Sequence, residues 1–101
     1  MAGELETALQ KNNNVFLYLY TADCGYCRTF SPVYNKLSGI YSGRFTFIKE
    51  DAAKPYGYEL LRRYNGRYVP YVLLINPDKA QLITPACLSD NVCLETTIKN
   101  F

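Results

Sequence analysis

Val15-Phe16-Leu17-Tyr18-Leu19-Tyr20-Thr21-Ala22-Asp23-Cys24-Gly25-Tyr26-Cys27 joins an apolar run to a pair of thiols. The run from Val15 to Tyr20 is β-branched and aromatic without polar alternation, as expected of a central strand covered on both faces. The residues after Cys27 repeat Phe30, Val33, Tyr34, Leu37 and Tyr41 at helical spacing, so the cysteines open a helix. Two thiols three residues apart at a helix N-terminus can form an easily exchanged disulfide, because the positive helix end and its free N–H groups favour a thiolate. Cys24 is then the attacking thiol and Cys27, one turn further in, the buried resolving thiol. Gly25 is expected to let the backbone turn tightly and Tyr26 to rim the site. By spacing alone, two core cysteines or half of a zinc site fit the same residues.

The remainder of the chain continues the alternation. Glu4 to Lys11 reads as a helix through Leu5, Ala8 and Leu9, stopped by Asn12-Asn13-Asn14. The helix after Cys27 runs to about Ile40 with Pro32 as an expected kink, and Ser42-Gly43-Arg44 is a turn. Phe45–Lys49 is a second strand. Pro55 starts a helix with Tyr58, Leu61 and Tyr64 on one face, closed by Asn65-Gly66 as a left-handed cap. Tyr71–Ile75 is a third strand, Asn76-Pro77-Asp78-Lys79 a turn, and Ala80–Thr84 a short fourth strand paired as a hairpin. Ser89 is expected to cap a last helix through Asn100, with Leu94, Ile98 and Phe101 on one face. This order places a mixed sheet of about four strands between about four helices, in three α/β/α layers and one domain over residues 1–101.

Composition narrows the functional classes. The net charge is +2 and the basic residues are scattered apart from Arg62, Arg63 and Arg67, so there is no basic stripe for a nucleic acid. The longest apolar run is far below the roughly twenty residues of a membrane span. No basic-then-apolar leader opens the chain. The expectation is a soluble protein, cytoplasmic or the mature part of an exported one, and a monomer. With no histidine in the chain, Cys/His zinc sites and histidine-based triads are excluded.

Three landmarks together carry a resemblance: strand–CGYC–helix, Pro32 five residues after Cys27, and Val69-Pro70 immediately before the strand Tyr71–Ile75. The chain resembles the thioredoxin superfamily from about Val15 to Phe101, without the extra N-terminal strand of full-length thioredoxins. The resemblance implies that Pro70 is cis and faces the Cys24–Cys27 pair, where it hinders metal capture. It also implies that Val69 and Pro70 present backbone to an extended substrate peptide, with Tyr26, Tyr68 and Tyr71 around the groove. The implied activity is protein thiol–disulfide exchange through a mixed disulfide, with client proteins and a redox partner protein and with no cofactor. A non-catalytic binding or redox-sensing module on the same fold is the alternative.

The chain departs from the family in several places. Asp23 stands where thioredoxins carry Trp; it either opposes the thiolate by like charge or caps the helix. Tyr18 stands where thioredoxins bury an Asp that relays protons to the second cysteine. Lys49 matches a family lysine near that relay and is a candidate support for proton transfer; Glu50 and Asp51 are further candidates by proximity. Gly-Tyr between the cysteines and Val before the proline resemble isomerases and oxidases of the superfamily, but redox direction rests on tens of millivolts. Cys87 and Cys93 are the second pair. They can form a structural disulfide, stay as unlinked thiols with Cys93 in the core, or join Cys24 and Cys27 at a zinc ion.

Overall fold

The structure, a computed structural model, describes residues 3–101. The elements are α1 (Glu4–Gln10), β1 (Asn14–Tyr20), α2 (Gly25–Tyr41), β2 (Phe45–Asp51), α3 (Pro55–Arg63), β3 (Tyr71–Asn76), β4 (Lys79–Ile83), α4 (Pro85–Leu88) and α5 (Asn91–Asn100). The sheet order is β2-β1-β3-β4. β1 runs parallel to β2 and antiparallel to β3, and β4 returns antiparallel along β3.

The apolar run of β1 is explained by its place. Val15 to Leu19 are all buried, because the strand lies inside the sheet and both faces are covered. Its side chains alternate between two cores. Phe16 and Tyr18 join Phe30, Tyr34 and Leu37 of α2, Val72 and Leu74 of β3, and Leu94 and Ile98 of α5. Val15, Leu17 and Leu19 join Leu5 and Ala8 of α1, Leu60 of α3, and Leu73 and Ile75 of β3. The period of two along a strand thus produces the three layers.

The ends of the elements agree with the sequence expectation in part. The residue in the left-handed region after α3 is Asn65, with φ 61°, and no glycine has positive φ. Asn tolerates that region because its short side chain bonds locally. The β3–β4 hairpin turns through Pro77 and Asp78, with the Asn76 side-chain oxygen accepting from Asp78 N and Lys79 N at 2.8 and 2.9 Å. Between β4 and the last helix lies an unanticipated one-turn helix, α4, capped by Thr84. The cap of α5 is Asp90 rather than Ser89, its carboxylate accepting from Val92 N and Cys93 N. A carboxylate suits a helix N-terminus, where it meets free N–H groups and the positive end.

α1 is fastened to α3 by polar contacts. Tyr56 donates to Glu6 at 2.6 Å, and Arg63 reaches both Glu6 and Glu59, at 2.6 and 2.7 Å. Burial would raise the Glu6 carboxyl, but the Tyr56 and Arg63 hydrogen bonds outweigh it and hold it at about 2. Arg63 of the Arg62-Arg63-Arg67 group is therefore paired within the chain, at its surface. α3 lies so close to the end of β2 that a Cβ at Gly57 would overlap the Asp51 carbonyl.

Candidate active site

The cysteine pair lies at the C-terminal end of β1, where α2 begins. Cys24 is the N-cap of α2, with extended backbone (φ −87°, ψ 113°), and its sulfur accepts from Cys27 N at 3.0 Å. A sulfur in this position meets the free N–H groups of the first turn and the positive helix end, so the local field favours a thiolate once the pair is reduced. Cys24 and Cys27 are disulfide-bonded, with their Cα atoms 5.2 Å apart. Cys24 is half-buried, whereas Cys27 is 2% exposed and packs in the α2-side core. Cys24 is therefore the more accessible sulfur of the two.

Gly25 does not have the role expected of it. It is the first helical residue, its φ is not positive, and a Cβ there would meet nothing within 4 Å. Beside it Tyr26 is 82% exposed. Asp23 does not cap the helix, since Cys24 does. Its carboxylate instead accepts from Thr21 Oγ1 at 2.9 Å and faces solvent.

Beneath the cysteines the floor is a tyrosine. Tyr18 is fully buried, and its hydroxyl donates to the Cys27 carbonyl at 2.9 Å and lies 3.1 Å from Ser31 Oγ. Ser31 also donates to the Cys27 carbonyl at 2.9 Å, so the two hydroxyls share one acceptor. Burial pushes the Tyr18 hydroxyl above its ordinary value, and it stays neutral at physiological pH. It is a hydrogen-bonding anchor for the backbone of Cys27, not an acid–base equivalent of a carboxylate. Pro32, one residue beyond Ser31, sits inside α2 without ending it.

The other polar candidates divide between the sheet faces. Lys49 sits opposite Tyr18 in the β1–β2 register, and its ammonium lies 4.7 Å from the Tyr20 ring centre and 5.8 Å from that of Tyr18. It is thus held over aromatic faces. Glu50 points the other way, toward α1, where burial and a hydrogen bond with Glu4 push its carboxyl up to about 7. That places Glu50 on the sheet face opposite Cys27, which corrects its candidacy for proton transfer. The Asp51 carboxylate accepts from Ala53 N at 2.9 Å and closes the turn after β2.

The Val69–Pro70 peptide is cis, and the Val69 carbonyl oxygen lies 3.6 Å from Cys24 Sγ. The chain before β3 therefore faces the disulfide. Next to it opens a groove of about 480 Å³ lined by Tyr26 and Phe30 of α2, by Tyr68 and Pro70 before β3, and by Pro85 and Leu88 of α4. Its polar lining is limited to uncharged groups such as Thr29, Ser89 and Asn91. Tyr71, expected at the rim, is instead 5% exposed and donates to the Tyr64 carbonyl at 2.7 Å. Cys87 and Cys93 are bonded to each other, tying α4 to α5. With the cysteines in two separate pairs, no cluster of three or more Cys, Asp or Glu side chains among the described residues is placed to hold a metal ion.

The family model for thioredoxin matches residues 2–99. The chain belongs to the thioredoxin family. Among solved structures it is similar to a thioredoxin of Schistosoma mansoni, at 29% identity and a TM-score of 0.79, with 98% of this chain and 88% of that chain covered. It shares its fold with the thioredoxin of Fasciola hepatica, at 21% identity and a TM-score of 0.79, covering 95% of this chain and 89% of that one. The oxidised thioredoxin of Plasmodium falciparum gives 21% identity and a TM-score of 0.76, with 99% and 91% covered. No curated protein matches the sequence.

A thioredoxin-family fold carrying a disulfide-forming Cys-x-x-Cys pair is the general equipment of a thiol–disulfide oxidoreductase, and thiols or disulfides of other molecules are its clients. No helix among the described residues is long and apolar enough to cross a membrane. Within this thioredoxin-family site, Ser31 and Leu88 went unnoticed in the sequence. Ser31 carried a usable signal, since it lies four residues after Cys27 and a serine there can bond back to that carbonyl. Leu88 carried none of its own, because only folding brings it to the groove.

Proposed function

We propose that the chain is a protein thiol–disulfide oxidoreductase, working as a single domain, that exchanges its Cys24–Cys27 pair with client proteins through a mixed disulfide. The observation that carries this reading is the asymmetry of the pair. Cys24 is reachable, at the helix N-cap and against the Val69 carbonyl, while Cys27 is buried behind it.

In the reducing direction, the Cys24 thiolate attacks one sulfur of a client disulfide. The Cys24–client bond forms, the client S–S bond breaks, and the departing client sulfur takes a proton. Cys27 then loses its proton and attacks Cys24 Sγ. The Cys24–Cys27 bond forms, and the second client sulfur leaves and is protonated. Two electrons have passed from the pair to the client; the reverse sequence oxidises a client dithiol, and a redox partner protein resets the pair. Val69 and Pro70 hold the client backbone, and Tyr26 flanks it. The neighbouring groove has an uncharged lining, which suits an extended client segment with an apolar or aromatic side chain beside its reacting cysteine.

The test is the Cys27→Ser variant. Attack by Cys24 continues but resolution stops, so client proteins accumulate as covalent adducts on Cys24. Non-reducing gels with mass spectrometry of the adducts read this directly. Absence of adducts on incubation with oxidised client proteins would remove the mechanism.

A further inference from the structure

The groove beside Cys24 is assembled from three separate stretches of chain, and one wall of it rests on the shortest helix among the described residues. Pro85, Leu88, Ser89 and Asn91 line that wall. Pro85 and Leu88 belong to α4, Ser89 to the link after it, and Asn91 is the first residue of α5. α4 has four residues, and a single helical turn does not persist on its own. Its backbone bonds stay within the segment: Leu88 N donates to the Thr84 carbonyl, Ser89 N to Pro85, and Asp90 N to Cys87. α5 is anchored in the α2-side core by the fully buried Leu94 and Ile98, whereas α4 enters that core only through Cys87 and Leu88.

The covalent tie between the two is Cys87–Cys93, with Cα atoms 5.2 Å apart. Leu88, Ser89 and Asn91 all lie inside the loop that this bond closes. Cys87 is buried in the α2-side core, while Cys93 sits in the first turns of α5 and packs against the same core. The bond thus transfers the fixed position of α5 to the groove wall. We propose that Cys87–Cys93 is a positioning element for client recognition: it holds the wall of the groove in its client-accepting shape and takes no part in the chemistry of Cys24–Cys27. This rests on the proposed exchange reaction and adds to it a determinant of which molecules react well. Protein clients need the wall, and a small thiol that touches only Cys24 does not.

The experiment starts from fully oxidised protein, so that wild type retains both bonds, and follows opening of Cys24–Cys27 in a single turnover by acid quench, alkylation and peptide mass. One reactant is reduced, unfolded ribonuclease A; the other is dithiothreitol. The Cys87→Ala/Cys93→Ala variant is expected to react about tenfold more slowly with ribonuclease A, the cost of ordering one loosened segment on binding. Its rate with dithiothreitol is expected to stay within about twofold of wild type, since the reacting pair is unchanged. Equal rates in variant and wild type with both reactants, or the same loss with both, would overturn the proposal. If the alanine pair fails to fold, Cys87→Val/Cys93→Ala refills the buried site without the tie and is judged by the same two rates. A wild-type pair that neither reactant opens would instead refute the exchange reaction itself.

Discussion

Replacing Cys24 by serine is expected to lower exchange activity by on the order of a thousandfold or more, because it removes the attacking sulfur itself. A serine hydroxyl does not ionise near neutral pH and forms no disulfide, so neither the mixed disulfide nor the Cys24–Cys27 bond can arise. The variant should nevertheless fold. Cys24 is the N-cap of α2, with its sulfur accepting from Cys27 N, and serine is among the preferred residues for that position. Helical content should therefore be retained while insulin reduction and thiol oxidation both disappear. The pairing of intact fold with lost turnover matters, because a loss caused by unfolding would appear in the circular dichroism spectrum. Activity within a few fold of wild type would show that Cys24 is not the nucleophile.

Phe16→Ala is expected to have the largest effect on stability. Phe16 is fully buried on β1, stacked on Phe47 at 4.9 Å between ring centres and tilted against Tyr34 of α2 at 5.9 Å. Removing its ring forfeits the transfer energy and leaves a cavity between the sheet and α2, a cost of about 3–5 kcal/mol. Domains of this size have about 5–15 kcal/mol in total, so the variant should lose a large share of its stability and melt more than about 12 °C lower. Urea titration should show a lower midpoint with an unchanged slope. Because Tyr18 lies two residues on and anchors the Cys27 carbonyl, exchange activity should vanish at the same lower temperature as the fold. A change below about 1 kcal/mol would mean that the cavity collapses at little cost.

The two predictions draw on parts of the molecule that were unequally legible in the sequence. β1 could be read from its unbroken apolar character, since an interior strand has no solvent face to mark. The cysteine pair could be read from its place between that strand and a helix. α4 could not, because Pro85-Ala86-Cys87-Leu88 is too short to show a period and is held by the Thr84 cap and its surroundings. The start of α5 was one residue out because Ser89 and Asp90 are both good caps and only the folded backbone chooses between them. The facing of Glu50 was available in principle: it shares parity with the buried Ile48 of the α1-side core. Whether Cys87 and Cys93 are bonded could not be read, since their spacing suits a bond or two separate thiols and α4 is what brings them together. The groove followed from the family resemblance, with Tyr26, Tyr68, Val69 and Pro70 at it, but its shape could not be read, being made from three segments distant in the chain.

The central claim is that Cys24–Cys27 is a reversible, accessible redox couple rather than a structural staple. The most direct measurement equilibrates the protein in thiol/disulfide buffers of graded potential and counts the alkylated peptides of each cysteine pair by mass. The account predicts a reversible two-electron transition for Cys24 and Cys27 between about −270 mV, at the reducing end, and about −120 mV, at the oxidising end. Its position in that interval assigns the direction of electron flow. A pair that stays bonded below about −300 mV, as structural disulfides do, would contradict the account and leave a thioredoxin-family binding module in its place.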